Sequence, residues 1–195
     1  MYIDTYMKTE IKAIKAIIGQ EPMTIREIAG KIKADYRITH TAVKLLSKKG
    51  AVILKKAGGS LLCELNKGYK GIEILQAEEE RKAALLKNKD MAALCKEVMA
   101  NAGSGFFVMI VFGSYAKGSQ TKNSDIDIML VSNDEKLKKR INEIVSILPL
   151  KIHLIQLNEE EFRRMYFSRE PNVVKEAARN YVILHGTEQF YGMMN

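Results

Sequence analysis

Apolar positions along the chain change their spacing several times, and each change marks an element. Ile11, Ile14, Ile17 and Ile18 recur at helical spacing with Lys8, Lys12 and Lys15 opposite, and Gly19 and Pro22 end that helix. Thr24-Ile25-Arg26-Glu27 has the form of a capping box, which predicts a short helix from Ile25 to about Lys31. A third helix is expected from about Ile38 to Lys49, with Val43, Leu45 and Leu46 inward and Gly50 as its stop. Two strand-like runs, Ala51–Lys56 and Leu61–Leu65, flank Gly58-Gly59 and predict a β-hairpin.

From Ile72 onward the spacing is helical again. Leu85, Leu86, Met91, Leu94, Cys95 and Val98 form an apolar stripe along one long helical stretch, ended by the segment from Asn101 through Ser104 to Gly105. Glu78 and Lys82 form an i,i+4 pair expected on its solvated surface. The apolar run Phe106–Phe112 then reads as a strand, followed by a turn, a strand over Asp125–Val131, a helix over Glu135–Leu148 and a strand over Leu150–Leu157. Asn158 caps a helix to about Phe167, Pro171 opens another to about Asn180, and Tyr181–Leu184 is strand-like. Met193, Met194 and Asn195 are expected to fray. There is no internal repeat and no low-complexity segment. The order of elements predicts an α+β protein in two parts, 1–70 and 71–195, with the boundary near residues 67–77.

Composition changes this picture little, but charge changes it considerably. A hydrophobic share of 47% is enough for two cores, and Cys63 and Cys95 sit in apolar patterns without metal-type spacing, as buried free thiols do. No apolar run nears the roughly 18 residues of a membrane span, and charges from Lys8 to Lys15 interrupt any leader-like core. A cytoplasmic protein without a membrane partner is expected. Residues 1–70 carry 14 Lys and Arg against 6 Asp and Glu, whereas residues 71–195 carry 17 of each. The whole basic excess therefore lies in the first part, which points to an anionic partner for it.

The phrases MTIREIAGKI and ITHTAVKLLSKKGAV, with the basic-tipped hairpin after them, resemble a winged helix-turn-helix domain over residues 7–66. The resemblance implies binding to double-stranded DNA, with the third helix in the major groove. Arg37, Thr39, His40, Thr41 and Lys44 would then face base edges, and Lys48, Lys49, Lys55 and Lys56 would meet phosphates. Winged helices also serve protein contacts, which is the other reading of this part.

The chemistry is concentrated in GSYAKGSQTKNSDIDIMLV, from Gly113 to Val131. Gly113 permits close main-chain approach, and Ser114 offers a hydroxyl and an amide to a phosphate. Asp is disfavoured in strands, so Asp125 and Asp127 in an apolar strand need a reason. Two residues apart, they point to one face, where two carboxylates suit Mg²⁺ carried with phosphates. Lys117 is placed either to touch phosphates or to face solvent.

This motif resembles the polymerase-β superfamily of nucleotidyltransferases, in particular its minimal nucleotidyltransferases, over residues 80–160. The resemblance implies a small mixed sheet flanked by helices and transfer of a nucleoside monophosphate from an NTP, ATP first among them, with Mg²⁺. It implies nucleotide binding by Gly113, Ser114 and Lys117, and metal binding and catalysis by Asp125 and Asp127. The superfamily usually has a third carboxylate on the following strand, and the matching residue here is His153. Two readings are open. In one, the protein is an archaeal-type DNA-binding enzyme, with His153 in the catalytic set and a small molecule, nucleic acid or protein hydroxyl as acceptor. Relatives in toxin–antitoxin pairs modify a tyrosine of a partner. In the other, it is a transcriptional regulator whose degenerate nucleotidyltransferase domain only binds nucleotide or forms a homodimer.

Overall fold

The computed structural model describes residues 2–103 and 105–195, so Ser104 lies outside the described residues. The chain divides into two compact units, Met1–Glu79 and Glu80–Asn195, and the division falls inside a helix, just past the 67–77 stretch.

The first unit runs α1 (Tyr2–Ile17), β1 (Met23–Thr24), α2 (Ile25–Ile32), α3 (Tyr36–Lys48), β2 (Val52–Ala57) and β3 (Ser60–Leu65). Ile11, Ile14, Ile17 and Ile18 of α1 and its end are buried, with Ile25, Ile28, Val43 and Leu46. The capping box forms: the Thr24 side chain accepts from the Glu27 amide, and the Glu27 carboxylate accepts from the Thr24 amide. β2 and β3 make the expected antiparallel hairpin, with Ala57 opposite Ser60 across Gly58-Gly59. β1, which has no sequence pattern of its own, adds to β3 and gives a sheet of order β1-β3-β2. The third helix starts two residues earlier than expected because Asp35 caps it, accepting from the amides of Arg37 and Ile38. Leu45, expected inward, is exposed. Cys63 is a buried free thiol, and burial pushes it up to about 11, outside the range in which it reacts readily.

The long helical stretch is in fact two helices, α4 (Ile72–Leu85) and α5 (Lys89–Asn101). The break has a local cause. Asn88 accepts hydrogen bonds from the amides of Asp90 and Met91 and so starts a new helix. Glu78 is buried and engaged in polar interactions, not on a solvated face.

The second unit continues with β4 (Val108–Phe112), α6 (Gly113–Lys117), β5 (Ile126–Val131), α7 (Glu135–Ile147), β6 (Ile152–Leu157), α8 (Glu159–Phe167), α9 (Val173–Ala177), β7 (Tyr181–His185) and α10 (Thr187–Met193). Its strands form a small mixed sheet of order β6-β5-β4-β7, antiparallel except for the β5–β6 pair. The central strands β4 and β5 are covered on both faces, which is why their sequences are almost continuously apolar. Met109 and Val111 of β4 and Ile126, Ile128 and Leu130 of β5 pack with Met91, Leu94 and Val98 of α5 and Leu137, Ile141 and Val145 of α7. Phe162, Tyr181, Phe190 and Tyr191 form an aromatic cluster joining α8, β7 and α10.

The C-terminal residues do not fray. Met193 and Met194 are buried, and Arg163 donates to the main-chain oxygens of Gly192 and Asn195. Arg163 thus ties down a helix end, the place where a cation is favoured. Among the described residues, no helix is long and apolar enough to cross a membrane.

Candidate functional site

The end of β4 and the start of β5 meet where the Gly-Ser turn was expected. There β4 leads directly into the one-and-a-half-turn helix α6, closed by Gly118 in the left-handed conformation. Gly113, its first residue, has φ +68°. A Cβ there would stand 2.4 Å from Oδ2 of Asp127. Glycine is therefore required twice, once by its dihedral and once by the carboxylate beside it.

Asp127 is the polar exception in β5. It lies opposite Phe112 of β4 on one side and opposite His153 of β6 on the other. Ile126, Ile128 and Leu130 enter the core shared with α5 and α7, so the alternation of the strand turns Asp127 to the other face. Its side chain is 30% exposed, and His153 Nδ1 lies 3.3 Å from its Oδ1. The register places this imidazole: β5 and β6 are parallel and Asp127 and His153 are direct partners.

Gly113, Asp127 and His153 are thus brought together. Ser114 and Lys117 stand on α6, and Lys117 is exposed. Asp125 is exposed and precedes β5, which begins at Ile126, one residue later than the strand expected from the alternation. Among the described residues, no group of three or more His, Cys, Asp and Glu is placed to hold a metal on its own. The residues present do fit Mg²⁺ that arrives with a nucleotide. Mg²⁺ takes one or two carboxylates and completes its shell with phosphate oxygens and water. Asp127 presents a partly exposed carboxylate against a backbone that has no side chain in the way.

Residues 106–184 match the family model of the nucleotidyltransferase domain. Within those bounds the chain has a nucleotidyltransferase domain. The matched segment holds Gly113, Ser114, Lys117, Asp125, Asp127 and His153 and leaves out the whole first unit. A solved structure described as a "putative nucleotidyltransferase" from Sulfolobus solfataricus is similar over 51% of this chain and 85% of its own, at 22% identity and a TM-score of 0.30. A comparison with curated proteins gives no match.

The second unit has a further feature at this edge that no local pattern announces. Tyr181 of β7 is the partner of Phe112, two strands from Asp127. The Arg81 guanidinium lies over its ring, 5.1 Å from the centroid, and donates to its carbonyl. A hundred residues separate Arg81 from Tyr181, so only the fold reveals the contact. A cavity of about 710 Å³ opens elsewhere, at the opposite ends of β4 and β5, between Phe106, Val108, Val131, Asp134 and Met193. It does not touch the Asp127 site.

In the first unit, Arg37, Thr41, Lys44 and Lys48 are exposed, spaced along one face of α3. His40 is half-buried beside the Tyr36 ring. Thr39 is not a surface residue: it is fully buried, and its hydroxyl donates to the Asp35 carbonyl. Lys49 does not face outward freely either. Its ammonium bridges Glu10 at 2.8 Å and Glu73 at 2.7 Å. Lys55 pairs with Glu64 across the hairpin, whereas Lys56 is exposed on the same strand.

Proposed function

We propose that the second unit transfers a nucleoside monophosphate from an NTP, ATP foremost, to a hydroxyl acceptor, and that the first unit is a winged helix-turn-helix that holds the protein on duplex DNA. The observation that carries the transferase reading is the juxtaposition of Gly113 with Asp127, a backbone cleared of side chain against a lone carboxylate in an apolar strand. In the reaction the acceptor oxygen bonds to the α-phosphorus, the bond to pyrophosphate breaks and the acceptor hydroxyl gives its proton to solvent water. Gly113 lets the main chain approach the phosphates, and the Ser114 hydroxyl and the Lys117 ammonium add polar and cationic contacts to them. Asp125 and Asp127 are the residues that would hold Mg²⁺. When bound, this ion supplies charge that polarises the α-phosphate and steadies the departing pyrophosphate.

The element order of the first unit, three helices with a short strand before the second and a two-stranded hairpin after the third, supports the DNA-binding reading. So does the exposed basic face of α3. The transferase reading predicts Mg²⁺-dependent release of pyrophosphate from an NTP in the presence of acceptor. Asp127→Ala should lower that rate by at least about a hundredfold, the scale on which removal of charge stabilisation acts. Failure of the intact protein to bind any NTP in calorimetry, with or without Mg²⁺, would overturn it. NTP binding without turnover would instead favour the regulator reading, in which the domain senses nucleotide.

A further inference from the structure

His153 stands beside the Asp127 carboxylate, and its position is specific. Parallel pairing of β5 with β6 makes it the direct partner of Asp127. Its Nδ1 lies 3.3 Å from the Asp127 Oδ1. Two ligands at right angles about one ion, each bonded at about 2.1 Å, stand roughly 3 Å apart. The nitrogen and the oxygen meet here as a hydrogen-bonded pair, and the same spacing is that of neighbouring ligands of one ion. The imidazole is 65% exposed, so it is free of the core. The parallel pairing of β6, the edge strand, with β5 sets the two side chains in this register.

We propose that His153 Nδ1 and Asp127 Oδ1 bind the same divalent ion, and that this mixed nitrogen and oxygen set makes the site select a first-row transition ion, Mn²⁺ or one of its neighbours, over Mg²⁺. The inference rests on the metal–nucleotide reading of the site and narrows it. An imidazole is a poor ligand for Mg²⁺, which keeps oxygen donors and releases water reluctantly. It is an ordinary ligand for first-row transition ions, whose affinity rises along the series from Mn²⁺. No three-ligand cage exists among the described residues, so the ion is held firmly only when nucleotide phosphates supply the remaining oxygens.

Pulsed electron paramagnetic resonance of the full chain with Mn²⁺ and ATP tests this directly. The protein is prepared once at natural abundance and once uniformly labelled with ¹⁵N, so that a nitrogen of the protein is told from one of the adenine. The expected result is a nitrogen coupling to Mn²⁺ that changes with protein labelling and is absent in His153→Asp. That variant should still bind Mn²⁺, and Mg²⁺ should displace half of it at a concentration roughly tenfold lower than in the parent. Because His153 is an exposed residue of an edge strand, the variant is expected to keep its fold, checked by circular dichroism. Mn²⁺ bound in an Asp127-dependent way without any protein nitrogen coupling would overturn this inference and leave the transferase reading standing. No Mn²⁺ bound by protein and ATP beyond that bound by ATP alone would overturn both.

Discussion

Gly113 and Gly186 both have left-handed dihedrals, φ +68° and +81°, yet their substitution by alanine should fail differently. At Gly113 the new Cβ meets Oδ2 of Asp127, the far end of a side chain that can swing away. At Gly186 it meets the main-chain oxygen of Phe107 at 2.5 Å, which cannot move without moving the strand. Gly113→Ala is therefore expected to cost only the dihedral, about 1–2 kcal/mol, while displacing the carboxylate and abolishing Mg²⁺-dependent nucleotide binding. Gly186→Ala adds overpacking and should cost roughly 2–5 kcal/mol. Denaturant unfolding with nucleotide titration separates the two. Equal stability losses, or undiminished binding by Gly113→Ala, would show that Asp127 and Gly113 are not coupled. At this scale the sequence was most legible where a residue type conflicts with its surroundings. Asp127 in an apolar strand and Gly113 at the end of another were readable for that reason. Thr39 was not, because a threonine that is buried and bonded back to the Asp35 carbonyl has the same letter as one facing outward.

Between elements, the first unit is joined by a polar network that no local pattern reveals. Lys49, at the end of α3, bridges Glu10 of α1 and Glu73 of α4, and Tyr69 donates to Glu73 at 2.5 Å. Both carboxylates are buried, while the Lys49 side chain is 42% exposed. Burial pushes the Glu73 carboxyl up, but the hydrogen bonds from Lys49 and Tyr69 outweigh it and hold it below its ordinary 4.5. The bonds to Glu10 and Glu73 hold the Lys49 ammonium above its ordinary 10.5. Burial, then the bond to Glu73, pushes the Tyr69 hydroxyl up to about 12. The signs fix the pH window. A depressed carboxyl contributes stability above its unfolded value that is lost as pH falls through the folded one, and a raised ammonium contributes below its unfolded value. The Glu73 and Lys49 contributions are thus full between about pH 4.5 and 10.5, and that of the raised Tyr69 hydroxyl begins to decline above its ordinary 10. Lys49→Met should leave two buried carboxylates without their cation, Glu73 keeping only the Tyr69 bond, and cost about 1–3 kcal/mol, reduced from the fully buried case by its exposure. Glu73→Gln should flatten the acid limb below pH 4.5 in thermal melts. An unchanged acid limb would remove Glu73 from the account. The sequence read Lys49 as a surface cation because its partners lie 39 and 24 residues away. The same blindness to distance joined α4 to α5, since a continuous apolar stripe conceals a cap such as Asn88. Helix and strand types were legible because their periods are local; β1 was not, because a two-residue strand has no period at all.

Across the whole molecule, the basic excess belongs to one part and the nucleotidyltransferase domain to the other, so the two proposed activities should respond to different substitutions. Binding to duplex DNA by a basic face releases counterions, and the logarithm of affinity falls with the logarithm of salt by about 0.9 for each phosphate neutralised. Lys44 and Lys48 project from the exposed face of α3. Their joint replacement by alanine should lower the slope by roughly 2 and weaken binding on all sequences alike. Arg37 stands on the same face near the N-terminal end of the helix, where base edges are met, so Arg37→Ala should weaken a preferred site more than random DNA. The hairpin allows a finer contrast. Lys55 is already paired with Glu64, whereas Lys56 is exposed on the adjacent position. Lys56→Ala should therefore reduce the salt slope by about 1, and Lys55→Ala by clearly less, because a Lys55 already paired with Glu64 has less charge to give to a phosphate. Asp127→Ala should leave the slope unchanged. Fluorescence anisotropy on a labelled duplex from about 50 to 200 mM salt measures all five variants against the parent. If the parent fails to bind duplex at the lowest salt, or if Lys44 and Lys48 can be removed without changing the slope, α3 does not lie along DNA, and the basic part must be assigned an anionic partner of another kind.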